Sequence, residues 1–184
     1  MSNTKLNSRL AVLASIIAAG ALMRLIPHWP NFTPIAAMAL FGGAYLGRKA
    51  LAFIVPIAAM FLSDLILGFH ADMLAVYIAF TATVLIGFAI SKNVKFGSVV
   101  LGALSASVLF FLVTNFSAWL TMPFYTKDFA GLMTAYAAGL AFFNNGSMGL
   151  SFFLNDVVGT LFFSGVLFGA FYAVRQKFPS LAKA

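Results

Sequence analysis

The chain has 184 residues, 62% of them hydrophobic and 8% charged, against about half apolar and a quarter charged for a soluble domain. Such a chain reads as a membrane protein. Its net charge of +7 does not indicate nucleic acid, because the basic residues stand in short clusters between apolar runs, as membrane orientation signals do. Cysteine is absent, which excludes disulfides, thiolate metal sites and cysteine nucleophiles.

The first apolar run follows a basic start, as in a signal peptide. Arg24 and Pro27 follow it directly, however, and it reads as a retained helix over 10–26. Pro27-His28-Trp29-Pro30-Asn31-Phe32 breaks that helix. Thr33-Pro34 starts a short second helix, 34–46. Gly47-Arg48-Lys49 is a basic turn before helix three, 50–67, which contains Pro56 and Asp64. Residues 68–72 form a polar loop, 73–91 a fourth helix, 92–95 a second basic turn, 97–120 a fifth helix, and 150–174 a last helix before a basic tail. Each long run approaches the roughly 20 residues that cross a bilayer.

Residues 128–143 are helical in character but short, and charge decides their place. With six spans and the N-terminus inside, the inner segments hold Lys5, Arg9, Arg48, Lys49, Lys92, Lys95, Arg175, Lys177 and Lys183, and the outer side only Arg24 and Lys127. A seventh span would move the basic tail outside. The expected fold is therefore all-α: a single transmembrane domain over 1–184, with six transmembrane helices. A short extra helix lies in the outer loop between helices 5 and 6, and both termini are cytoplasmic. The echo Pro34-Ile-Ala-Ala-Met and Pro56-Ile-Ala-Ala-Met is too short to establish an inverted repeat.

This topology gathers polar side chains at the outer end. Ionisable groups in a bilayer usually have a purpose or a partner, which singles out Arg24, Asp64 and Asp156. Arg24 with either carboxylate could be an ion pair that fixes packing or part of a binding site. His28, Asn31, His70, Asn115, Trp119, Asn145 and Asp156 share that depth. Trp119 and Tyr125 could equally be interface-belt aromatics, and His28 could cap the first helix. Asp72 and Asp128 suit solvated or capping roles. Asn115, a buried amide, needs partners. Ala14 and Ala18 put small residues one turn apart on helix 1, suited to packing within the bundle or to docking a partner's helix. The chain has no metalloprotease, nucleophile-elbow, phosphate-loop or dinucleotide motif. No catalytic residue, resident metal or cofactor is expected. An aspartyl dyad of Asp64 and Asp156 is the one enzymatic alternative.

Three strings resemble one family. They are Arg24-Leu-Ile-Pro-His28-Trp-Pro-Asn31-Phe-Thr33-Pro-Ile-Ala-Ala-Met-Ala-Leu-Phe-Gly-Gly-Ala-Tyr45, Pro56-Ile-Ala-Ala-Met-Phe-Leu-Ser63-Asp64-Leu-Ile-Leu-Gly68-Phe-His70, and Phe110-Phe-Leu-Val-Thr114-Asn115-Phe-Ser-Ala-Trp119. Together they resemble small bacterial membrane proteins described as substrate-binding (S) components of energy-coupling factor transporters. The resemblance implies six helices in the bacterial inner membrane and an outward-facing vitamin pocket. It also implies a small-residue face on helix 1 for an energy-coupling transmembrane subunit, with separate ATPases. A looser similarity to solitary cobalamin transporters of the same fold implies cobalamin as substrate. In those proteins a loop Cys after helix 3 coordinates cobalt; here His70 stands in that loop and would supply an imidazole instead. The sequence thus leads to vitamin uptake, through a site drawn from Arg24, His28, Asn31, Asp64, His70, Asn115, Trp119, Asn145 and Asp156. The main alternative is a non-transport subunit that stabilises a larger membrane complex.

Overall fold

A computed structural model of the chain describes residues 3–47, 49–69, 72–141 and 151–181, without the side chains of 3–7, 49 and 180. Among the described residues there are seven α-helices and no strand: α1 (Asn3–Met23), α2 (Ile35–Tyr45), α3 (Lys49–Leu67), α4 (Met73–Ile90), α5 (Phe96–Thr121), α6 (Phe129–Ala141) and α7 (Phe152–Lys177). A 3₁₀ turn, Pro179–Leu181, follows α7.

Four helices are long and apolar enough to cross a membrane: Ala50–Leu67, Met73–Ile90, Phe96–Thr121 and Phe152–Lys177. No more than 39% of any of these stretches is buried inside the protein. Their outer faces carry exposed Leu62, Leu65 and Ile66 on α3, Leu85 on α4, Leu101 on α5, and Phe162 and Val166 on α7. So large an apolar surface suits lipid and would be untenable in water.

The bundle is built around its shortest core helix. Every residue of α2 from Ala36 to Ala44 is buried. Among the described residues α2 packs on α1, α3, α4, α5 and α7, that is, on all the others except α6. Small side chains explain how five neighbours fit. Gly42 faces the ring of Pro56 on α3, where an added Cβ would stand 2.5 Å from Pro56 Cγ. A proline inside a helix displaces a backbone hydrogen bond and crowds the preceding turn; its ring here fills the hollow left by Gly42. Gly43 and Gly87 meet on the other side, so that a Cβ on Gly87 would be 2.7 Å from Gly43 Cα and 2.5 Å from Leu40 O. The α2 and α4 backbones are therefore in direct contact.

The expected helices are all present, with shifted ends. The largest shift is in the first, which begins at Asn3 and ends at Met23 rather than spanning 10–26. Arg24, Leu25 and Ile26 donate to carbonyls three residues back. Pro27 disfavours helical backbone at Ile26, so the helix tightens into turns before it stops. Residues 128–143 do contain a helix, α6, packed on α5 and α7. Its 13 residues rise about 20 Å at 1.5 Å each, less than the ~30 Å apolar core of a bilayer.

Candidate functional site

The end of α1 and the last turns of α3 carry the strongest polar contact. Arg24 Nη2 lies 2.7 Å from Asp64 Oδ1, and both side chains are buried. Arg24 Nη1 donates to Met60 O at 3.3 Å and to Ser63 Oγ. Tyr77 on α4 donates its hydroxyl to Asp64 Oδ2 at 2.8 Å. Three elements thus converge on one ion pair, and both carboxylate oxygens are engaged. Ser63 and Tyr77 complete the network. Sequence reasoning did not single out Tyr77, whose only signal was one phenol in an apolar helix.

Residues 27–34 run back from this end into the protein as irregular backbone. Asn31 has a φ of 62°, Phe32 N donates to Trp29 O, and Thr33 N donates to Asn31 O. The first part of the segment, 27–29, is exposed, and the half-buried part, 30–33, packs against α7. Asn155 Nδ2 donates to Pro30 O at 3.0 Å. At Gly159 a Cβ would come within 3.0 Å of Phe32 Cα and 3.1 Å of Thr33 N. Phe32 then packs its ring on Phe162 and Phe163. His28 and Trp29 are exposed, and His28 Nδ1 lies 2.6 Å from Ile26 O.

At the residue after Asn155 begins a buried polar row. Asp156, Thr160 and Ser164 recur every four residues on α7, and all are buried; that spacing puts them on one helix face. Ser107 on α5 faces the Asp156 carboxylate. Asp156 Oδ2, Thr160 Oγ1 and Ser164 Oγ have no hydrogen-bond partner among the described residues. Buried polar atoms are nearly always paired, so this row has unspent hydrogen-bonding capacity. The sequence singled out Asp156; Ser107, Thr160 and Ser164 escaped notice as small hydroxyls in long apolar helices.

Asn115 and Trp119 are placed elsewhere, against α6. Asn115 Nδ2 donates to Phe111 O at 2.8 Å, and its amide packs on Gly139 of α6. Trp119 Nε1 donates to Thr126 O at 2.8 Å, and Tyr136 of α6 donates to Leu112 O at 3.2 Å. Asp128 caps α6, accepting from Gly131 N at 2.7 Å and from Thr126 Oγ1 at 2.9 Å. Those bonds, Gly131 first, hold its carboxyl below the usual range. The ring of Phe111 meets those of Tyr136 and Phe153, tying α6 to the start of α7.

Of the expected residues, the structure therefore joins Arg24 to Asp64, and Asp156 follows Asn155, whose amide holds Pro30 in the segment that carries His28 and Asn31. Asn115 and Trp119 position α6. His70 and Asn145 lie outside the described residues. Asp64 is engaged by Arg24 and Tyr77 while Asp156 faces Ser107, so each carboxylate has its own neighbours. Among the described residues no group of three His or Asp side chains could hold a metal ion. On α1, Ala18 is exposed and Ala14 half-buried, leaving part of that small-residue face uncovered.

No curated protein and no solved structure matches the chain. Residues 4–181, nearly its whole length, match a family of unknown function, DUF6580, and the chain belongs to that family.

Proposed function

We propose that the protein binds a small polar organic solute at the Arg24 end of the bundle and carries it across the membrane in the manner of an S component. The observation that carries this reading is the buried pair Asp156 and Thr160 on α7, whose Oδ2 and Oγ1 have no hydrogen-bond partner among the described residues, each one residue on from Asn155 and Gly159, which touch the irregular segment 27–34. A carboxylate oxygen and a hydroxyl kept dry and without partners cost stability, which a ligand supplying the missing hydrogen bonds would offset. Half-helices entered by irregular backbone are where membrane transporters build such sites.

In this reading α1, α2, α3, α4, α5 and α7 make six crossings. The 11 residues of α2 rise only about 17 Å, so 27–34 completes the second crossing. Helix α6 lies over the outer end as a lid. Both termini are cytoplasmic, since that choice puts nine of the eleven basic residues inside. The membrane is the bacterial inner membrane. The solute is a vitamin, with cobalamin the first to test and His70 its candidate cobalt ligand. His28, Asn31, Asn145 and Asp156 would contact it, Arg24 and Asp64 would fix the wall, and Asn115 and Trp119 would set the lid. The uncovered Ala14–Ala18 face would dock a coupling subunit, with ATP use left to separate subunits.

Equilibrium binding of the purified protein to a vitamin panel tests this. Saturable binding of one vitamin, weakened by Asp156→Ala, is expected; binding of none would sink the reading. The satisfied Arg24–Asp64–Tyr77 network favours a second reading, a subunit that stabilises a larger complex. That reading predicts stable co-purification with one protein, no ligand, and tolerance of Ala at Asp64 and Asn115.

A further inference from the structure

The opposite end of the bundle holds a feature that solute binding does not use. A cleft of about 420 Å³ opens between α5 and α7. Its floor is apolar, with Val99, Ala103 and Phe168, and its mouth carries Lys95 and Arg175. Gly165 and Gly169 line it one turn apart, and a Cβ built on either would meet nothing within 4 Å. The space along α7 is therefore open.

Among the described residues no carboxylate pairs with the charges around the cleft. All four Asp side chains lie at the other end of the bundle or in its loops: Asp64 near the end of α3, Asp72 before α4, Asp128 before α6 and Asp156 at the start of α7. Among the described residues the one salt bridge is Arg24–Asp64. Arg175 stacks over the Tyr172 ring at 5.1 Å, which holds its guanidinium at the rim. Behind the cleft Arg9 is 8% exposed. It donates through Nη2 to Tyr45 O at 3.3 Å, while its Nε and Nη1 have no partner among the described residues. Tyr45 itself lines the cleft. Buried guanidinium N–H groups without acceptors are costly, and here they stand next to an open cavity with a basic mouth.

We propose that this cleft binds an acidic phospholipid, with its phosphate against Arg175 and Lys95 and an acyl chain along Gly165 and Gly169. Charge and shape agree on this occupant. Basic pockets between membrane helices suit anionic headgroups, and an apolar floor beside two glycines suits a flexible chain. A second helix packing on Gly165 and Gly169 would fill the groove but leave the cations unmatched. Of the polar row on α7, Ser164 also lines this cleft, whereas Asp156, Thr160 and Ser107 do not.

Native mass spectrometry of the full chain, released from micelles with equal phosphatidylglycerol and phosphatidylcholine, tests the proposal. Retained phosphatidylglycerol should exceed phosphatidylcholine. Arg175→Gln and Lys95→Gln should each lower it about five-fold, from roughly 1 kcal/mol per basic residue near an anionic headgroup. Gly165→Leu should abolish it without lowering the melting temperature, since the new side chain enters open space. Inorganic phosphate should not displace the lipid. Equal retention of the two lipids, undiminished retention in Arg175→Gln and Gly165→Leu, or displacement by phosphate alone would overturn the proposal. So would a photo-crosslinker at position 169 that traps a protein instead of lipid.

Discussion

Arg24 and Asp64, forty residues apart in sequence, meet at 2.7 Å in the protein interior, with Tyr77 donating to the second carboxylate oxygen. The pair welds the end of α1 to α3 and α4, at the point where the chain turns back into the bundle.

Breaking this pair from one side leaves a buried charge unmatched. Arg24→Met or Asp64→Leu alone should lower stability by about 3–5 kcal/mol, while the double variant should recover much of the loss. Tyr77→Phe removes one hydrogen bond and should cost about 1–3 kcal/mol, as for a bond to a charged group. Unfolding in detergent, followed by circular dichroism, measures all four. A double variant no better than either single would show that the pair does not act as a unit.

The α2–α4 contact makes a sharper steric prediction. Gly87→Val drives a branched side chain into Leu40 O and Gly43 Cα; overpacking alone costs about 1–3 kcal/mol, and backbone cannot move aside as a side chain can. Expression as folded, monodisperse protein should fall steeply. Gly165→Ala, in open space, should be near neutral in the same size-exclusion assay.

Asp128 gives α6 a pH dependence. Its carboxyl is held below the usual range by Gly131 N–H and the Thr126 hydroxyl, so the ionised form is favoured in the folded protein. The cap's contribution is then fully present above the ordinary Asp pKa of about 4 and is lost as pH falls through the lowered folded value. Asp128→Ala should remove that dependence. Amide exchange at Gly131 and Leu132 is the readout: protection should drop on acidification in the parent and be low throughout in the variant.

Asp156 should separate stability from binding. Replacing a buried carboxylate that lacks a counter-cation with the isosteric amide, Asp156→Asn, should leave the melting temperature unchanged or raise it. The same change should weaken solute binding, whereas Asn155→Leu should lower stability by about 1–3 kcal/mol by orphaning Pro30 O. If Asp156→Asn melts markedly lower, the carboxylate has a structural role.

Much of the architecture was legible because lipid constrains sequence strongly. Apolar runs, prolines and basic turns place the helix ends to within about three residues, except the start of α1, which lies at Asn3, seven residues before the apolar run; the failure of α1 to reach Ile26 traces to Pro27 acting one residue upstream. Asp128 was legible as a cap because its position before a helical run leaves it few other roles. The row on α7 was harder to see: Thr160 and Ser164 are ordinary residues in apolar helices, and they matter only because Ser107 comes opposite Asp156.

By itself the sequence determined that this is a helical membrane protein, where its helices lie, and that Arg24, Asp64 and Asp156 need partners. Local propensity and hydrophobic burial act along the chain and leave their mark in it. Only the tertiary structure decided the partners: Asp64 rather than Asp156 for Arg24, Pro30 O for Asn155, and α6 rather than the ion pair for Asn115 and Trp119. Those choices depend on which helix faces which. That is set by where glycines 42, 43, 87 and 159 let backbones touch, a property of pairs of distant residues that no single stretch of sequence contains.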